Sequence, residues 1–377
     1  MLESLLLTKR VVICVGAGGV GKTTTAAALG VAAAQRGKRV LCLTIDPARR
    51  LAQSLGLSSM TTDATAVDPA PFAAAGGALR GELTVMMLDT KTTFDELVLR
   101  HSSSPEKAKR LLDNKLYKYV STQLAGTQEY MAMEKLVSVR ADPRYDLIVL
   151  DTPPTANALD FLDAPERMID ALDSATMRWF LEAFEASGKL SLNVLARSAA
   201  VVLKGIGRLV GGGFLAAMAE FITSLNDLFG GFRKRASVLE AELRSPEVAF
   251  VLVTSPSPVS IKEVLYFEER LAQAKMPRGA FVVNRFHVPP AAVGGVDAAA
   301  VATAVSAHGL ALDADAPGRV IRAYEDASKL AALDEEHLVA LVEQAGDVPI
   351  LRVPEQPTDV HDARGLVKLA GLLTAAA

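Results

Sequence analysis

The stretch VGAGGVGKTTTAAALG, residues 15–30, decides the fold. It contains the pattern G-x-x-x-x-G-K-[ST] from Gly16 to Thr23. Glycines at this density let consecutive backbone N–H groups turn inward around phosphate oxygens, and the helix that follows points its positive end at them. The phosphate-facing set is then Gly18, Gly19, Val20, Gly21, Lys22, Thr23 and Thr24. Lys22 is placed to reach the β- and γ-phosphates of ATP, and the Thr23 hydroxyl to hold Mg²⁺. The motif follows an apolar run, RVVICVG (10–16), and opens an alanine-rich helical segment. That strand–loop–helix order is what the mechanism requires.

Working outward, six further apolar, β-branched runs recur: RVLCLTI (39–45), LTVMMLD (83–89), YDLIVLD (145–151), VAFVLVT (248–254), GAFVVNR (279–285) and VPILRVP (348–354). Short continuous apolar strands alternating with helical patterns predict a mostly parallel sheet covered on both faces. The fold class is therefore α/β, doubly wound around a phosphate-loop core. The chain reads as a single domain over residues 1–377, with helical insertions at about 90–140 and 163–245. The second insertion fills an interval where one crossover helix would suffice. Residues 58–82, rich in Pro, Gly and Ala, are expected to form a mobile loop.

Of the 377 residues half are apolar and 22% charged, and the formal charge is −3 with a pI near 6.0. This suits a water-soluble protein and argues against a dedicated nucleic-acid partner. The two cysteines, Cys14 and Cys42, each lie in a strand-like run and are expected to be reduced core thiols. No C-x-x-C occurs, so neither a cysteine zinc staple nor a shared iron–sulfur cluster is available. The first ten residues are too short and wrongly ordered for a secretory signal. The longest apolar stretch (199–225) is interrupted by Lys204, Arg208 and Glu220, leaving uncharged runs too short to span a bilayer. A cytoplasmic location is expected.

Two carboxylates fall at carboxyl ends of strands, the edge where such sheets bind ligands. Asp151 ends YDLIVLD and suits the oxygen shell of Mg²⁺. Asp46, in TIDPARR, either orients the attacking water or is a structural turn residue before Pro47. Here a resemblance becomes specific. The Gly-Gly-Val-Gly-Lys-Thr-Thr loop, DPA after the second run, LAGTQEYMAMEKL (124–136), DTPPTANALDFLDAP (151–165) and VVN (282–284) occur in order. Together they resemble the guided-entry (tail-anchored protein targeting) and arsenite-pump ATPases, part of the dimeric deviant-Walker group, in a bacterial-type form. The resemblance implies an ATP-hydrolysing dimer, pairing like with like or with a paralogue. It implies that Asp46 is the catalytic carboxylate in a first switch and that DTPPTANALDFL is a second switch. It further implies that Asn284 contacts adenine, helped by the loop after Val353, beginning at Pro354. The client would be a hydrophobic transmembrane helix handled by the insertion, with a membrane receptor as a further partner.

Two departures stand out. Ala17 occupies the position where these ATPases carry a lysine that reaches across the dimer, and a methyl group cannot neutralise charge there; Arg49 or Arg50 could substitute, or be solvated charges or half of a structural pair. The paired-cysteine staple of the eukaryotic targeting factors is missing. Within the insertion, Phe214, Met218, Phe221, Leu225 and Leu228 form a stripe at helical spacing between two glycine clusters. It is either an ordinary core-facing helix or the wall of a groove for an apolar helix. Two alternative functions are a partition- or division-site-like switch, which would lack this insertion, and an arsenite-efflux ATPase, which would need a thiolate cluster.

Overall fold

Strand β1 (Val11–Val15) is buried along its whole length and sits inside the sheet, between β5 and β6. In this computed structural model the described residues are 2–45, 50–57, 62–114, 117–118, 121, 127–152, 163–164, 170, 221, 235, 237–291, 297–308, 313 and 315–375. Their strands are β1, β2 (Arg39–Thr44), β3 (Thr65–Ala66), β4 (Glu82–Met87), β5 (Leu147–Asp151), β6 (Val248–Thr254), β7 (Arg278–Phe286) and β8 (Ile350–Pro354). They form one sheet in the order β3-β4-β2-β5-β1-β6-β7-β8. Every pairing is parallel except β3 with β4. All seven runs singled out by sequence are strands of this sheet.

The helices are α1 (Leu2–Thr8), α2 (Lys22–Gln35), α3 (Arg50–Ser54), α4 (Ala70–Ala74), α5 (Thr90–His101), α6 (Pro105–Asp113), α7 (Thr127–Arg140), α8 (Pro258–Gln273), α9 (Ala298–Ala307), α10 (Ala316–Ala345) and α11 (Ala363–Thr374). Alternation along β1 divides the core in two. Val11, Ile13 and Val15 pack with residues of α5, α7, α8 and α10, whereas Val12 and Cys14 pack with α1, α2 and α11. Successive side chains of a strand point to opposite faces, so a run apolar at every position must be covered on both. The alanines of α2 let that helix lie close to the sheet, with eleven of its fourteen residues buried. The C-terminal helix α11 packs against it through Leu366, Leu369, Ala370 and Leu373.

One expectation changes, and one open alternative narrows at a single residue. Residues 62–82 are not a featureless loop: they hold β3 and α4, and Phe72 is buried at 1% exposure. One aromatic anchor fixes a stretch whose Gly, Pro and Ala content alone suggests mobility. In the stripe at 214–229, Phe221 is the one described residue, and it is buried in the cluster that contains Val11 and Ile13. At this position the core-facing reading holds. The helical block at 90–140 contains α5, α6 and α7, while most of 163–245 lies outside the described residues.

Candidate nucleotide site

The phosphate loop leaves β1 at Val15, and its shape depends on two glycines. Gly16 has φ 150°, and a Cβ there would fall 1.9 Å from the carbonyl oxygen of Val253 on β6. Gly21 has φ 97° and caps α2, where a Cβ would meet Asn284 Nδ2 at 2.3 Å. Only glycine fits positions with so little space and a left-handed backbone. The N-cap of α2 is Gly21, which has no side chain to cap the helix, so the first N–H groups of α2 open toward the loop as anion donors.

Lys22 is 5% exposed, and its Nζ donates to the Ala17 carbonyl at 2.7 Å. The ammonium is thus folded back over the loop at the position where anionic oxygens would gather. Thr23 and Thr24 are half-buried beside it. Asp151 is 1% exposed and pairs in register with Cys14 on β1 and Thr44 on β2. Thr44 Oγ1 donates to Asp151 Oδ2 at 2.9 Å, and Thr152 Oγ1 donates to the Cys14 carbonyl at 2.8 Å. The backbone N–H of Ile45 donates to the Asp151 carbonyl at 3.3 Å. These bonds bring the end of β2, the end of β5 and the loop after β1 to one edge.

A cavity of about 320 Å³ opens at that edge. Its walls are Gly19, Gly21, Lys22, Thr23 and Thr24 of the loop and α2, Gln53 and Ser54 of α3, Thr152, Arg285, and residues 359–361. The volume falls within the range usual for small-molecule sites. Asn284 stands behind the loop, its Nδ2 donating to the Val20 carbonyl at 2.9 Å. Pro354 closes β8 opposite Phe286, and its carbonyl accepts from Gln356 Nε2 at 2.6 Å. Further along the same loop, Asp359, Val360 and His361 reach the cavity wall. Gly18 is exposed at the loop tip and Val20 is buried beneath it. Asp46 and Arg49, and the side chain of Arg50, lie outside the described residues.

Gln53, Ser54, Arg285 and His361 were not singled out in the sequence. Arg285 follows the VVN signal directly, which was the one available pointer. Nothing in the local pattern marks Gln53 or His361. Cys14 and Cys42 are buried at 0% and 1% exposure. Burial, with the charge of Asp151 adding to it, pushes the Cys14 thiol far up and the Cys42 thiol up to about 12.

A parallel sheet with a glycine-rich phosphate loop at its central strand, a buried lysine in that loop and an aspartate on the neighbouring strand define a phosphate-loop nucleotide hydrolase. Residues 9–293 match the family described as anion-transporting ATPase, and the chain belongs to that family. It is an ATPase. The similar proteins include ATPase BagA of Mycobacterium tuberculosis, 25% identical over 92% of this chain and 87% of that protein. They also include ATPase get3 of Schizosaccharomyces japonicus, 21% identical over 95% of this chain and 90% of that protein. ATPase GET3 of Phaeosphaeria nodorum is 24% identical over 75% and 78%.

Proposed function

We propose that this ATPase works as a two-fold dimer that captures apolar helical segments of tail-anchored-like membrane proteins in its ATP state and releases them after hydrolysis. The observation that carries the reading is the phosphate-loop cavity at one sheet edge, in a chain that aligns with the GET3 ATPases over most of its length. Among the described residues no helix is long and apolar enough to cross a membrane. The helical insertions at 90–140 and 163–245 of a single nucleotide domain are the client-handling part in this reading.

In the site, Lys22 neutralises the β- and γ-phosphate oxygens, and the loop N–H groups from Gly18 to Thr24 hold the rest of the chain of phosphates. Two oxygen donors fit a hard divalent cation: the Thr23 hydroxyl, on a residue that lines the cavity, and the Asp151 carboxylate, buried at the end of β5 beside β1. Thr23 and Asp151 would hold Mg²⁺, which when bound would supply charge neutralisation at the transferred phosphoryl group. Asp46 orients the attacking water. Asn284 and the loop beginning at Pro354 hold the adenine end.

The arsenite-efflux reading is weaker. Soft thiolates are what a metalloid needs, and both thiols are buried in strands with their pKa values raised. The test is capture of a labelled peptide carrying an apolar 20-residue helix. Retention that needs ATP, persists in Asp46→Asn and fails in Lys22→Ala supports the reading. Peptide retention indifferent to nucleotide would overturn it.

A further inference from the structure

The β7–β8 ladder contains one irregularity, and it lies at the cavity. Val283 pairs with Arg352, and the next pair is Phe286 with Pro354. Three steps on β7 therefore face two on β8, which is a bulge. Arg285 takes up the extra residue with φ 59°, a left-handed backbone that a long side chain adopts only where its surroundings hold it.

Several bonds hold it. Upstream, Asn284 Nδ2 donates to the Val20 carbonyl at 2.9 Å. Downstream, the Glu355 N–H donates to the Phe286 carbonyl at 3.0 Å. His287 donates twice to one oxygen of α10: its backbone N–H and its ring Nδ1–H each lie 2.8 Å from Asp334 Oδ2. Asp334 is 7% exposed, and the other ring nitrogen of His287 is 3.3 Å from Glu355 Oε2. The neighbouring Glu335 of α10 reaches Arg352 of β8 at 3.0 Å. Helix α10 thus grips both strands across the bulge. The outcome is that Arg285 lines the cavity, on walls shared with Asp359, Val360 and His361.

We propose that Arg285 is a base-facing contact of the nucleotide cavity, and that Asp334 and His287 are the positioning pair that aims it. The inference rests on the reading that ATP fills this cavity. A guanidinium offers a flat cation with five donors and no acceptor, suited to stacking on a purine ring and to its ring-nitrogen acceptors. The phosphate end is already served by Lys22 and the start of α2. Asp359, on the shared wall, would repel a triphosphate placed there. Arg285 also enters from β7, separated from the phosphate loop's own strand by β6.

The experiment measures binding of ATP, ADP and inorganic tripolyphosphate to the full chain. Arg285 is exposed in the structure, so Arg285→Ala is expected to weaken ATP and ADP by about two- to thirtyfold, the range from an exposed to a desolvated cation–π contact, and to leave tripolyphosphate unchanged. Asp334→Ala is expected to show the same split, and the double variant to be no weaker than the singles, because both remove one contact. Where Asp334→Ala does not fold, His287→Ala takes its place in the cycle. Equal losses on tripolyphosphate, no loss on ATP, or additive losses in the cycle overturn the proposal. Failure of the wild-type chain to bind ATP would instead remove the nucleotide reading beneath it.

Discussion

Thr44 Oγ1 donates to Asp151 Oδ2 across 2.9 Å at the paired ends of β2 and β5. The bond is buried and links the strand that leads into residue 46 to the carboxylate beside the phosphate loop. If Asp151 acts through Mg²⁺, Thr44 fixes the orientation of its carboxylate. Thr44→Val keeps the shape and removes the donor. It is expected to lower kcat and apparent Mg²⁺ affinity about 10- to 100-fold, as losses of orienting partners do, with ATP binding in EDTA unchanged. An unaltered Mg²⁺ titration would show that Asp151 does not hold the ion.

Asp46→Asn tests the water-orienting carboxylate. The variant should bind ATP as the wild type does and hydrolyse it about 10²–10⁴-fold more slowly. Single-turnover phosphate release on pre-bound ATP separates the chemical step from binding. Full turnover in Asp46→Asn would leave the residue as the turn aspartate before Pro47. Chelation of Mg²⁺ should abolish turnover in every variant.

Cys14 and Cys42 should be inert in the folded protein. Burial raises both thiols, Cys42 to about 12, so at pH 8 almost no thiolate forms. Alkylation by iodoacetamide, followed by mass spectrometry, should label neither residue in native protein and both in guanidinium chloride. Arsenite and antimonite should not stimulate turnover. Stimulation that vanishes in a folded Cys14→Ala/Cys42→Ala variant would revive the metalloid reading.

The sheet was legible because continuous apolar runs such as VVICV and VAFVLVT are buried on both faces, a pattern independent of long-range detail. The phosphate loop was legible because its glycines answer a local backbone demand at Gly16 and Gly21. The cavity wall was not. Gln53, Ser54 and His361 come from segments far apart in sequence, and a residue that merely faces a cavity leaves no periodic trace. Arg285 was hidden for a different reason: the bulge that turns it depends on Asp334, about fifty residues away on a helix with no motif. Phe72 likewise shows that one buried ring can order a stretch of turn-forming residues.

The Arg39–Asp146 pair should shape acid stability. Asp146 accepts from the Arg39 guanidinium and its backbone N–H, and these bonds hold its carboxyl well below the usual range. A folded pKa below the unfolded value of about 3.9 contributes stability that is present above that pH and lost as pH falls through it toward the folded value. Asp146→Asn should therefore lower the melting temperature slightly at pH 7, the pair being half-exposed and screened. The gap from wild type should close as pH falls below 4. A constant gap from pH 7 to pH 3 would show that the pair's charge contributes nothing.

The stripe at 214–229 divides into two separate experiments. Phe221 is 6% exposed and packed in the core cluster. Phe221→Asp removes a buried ring and inserts a charge. The ring alone is worth about 3–5 kcal/mol on truncation, so the variant should melt far below wild type and report on folding rather than on clients. Leu225, Met218 and Leu228 lie outside the described residues, and they carry the groove question. If they line a groove, Leu225→Lys should keep the melting temperature and ATP affinity of wild type while losing capture of the apolar-helix peptide. If the whole stripe faces the core, Leu225→Lys should lose stability as Phe221→Asp does. A folded Leu225→Lys that still captures the peptide in ATP would remove this stripe from the client surface, leaving the nucleotide site and its ATPase activity untouched.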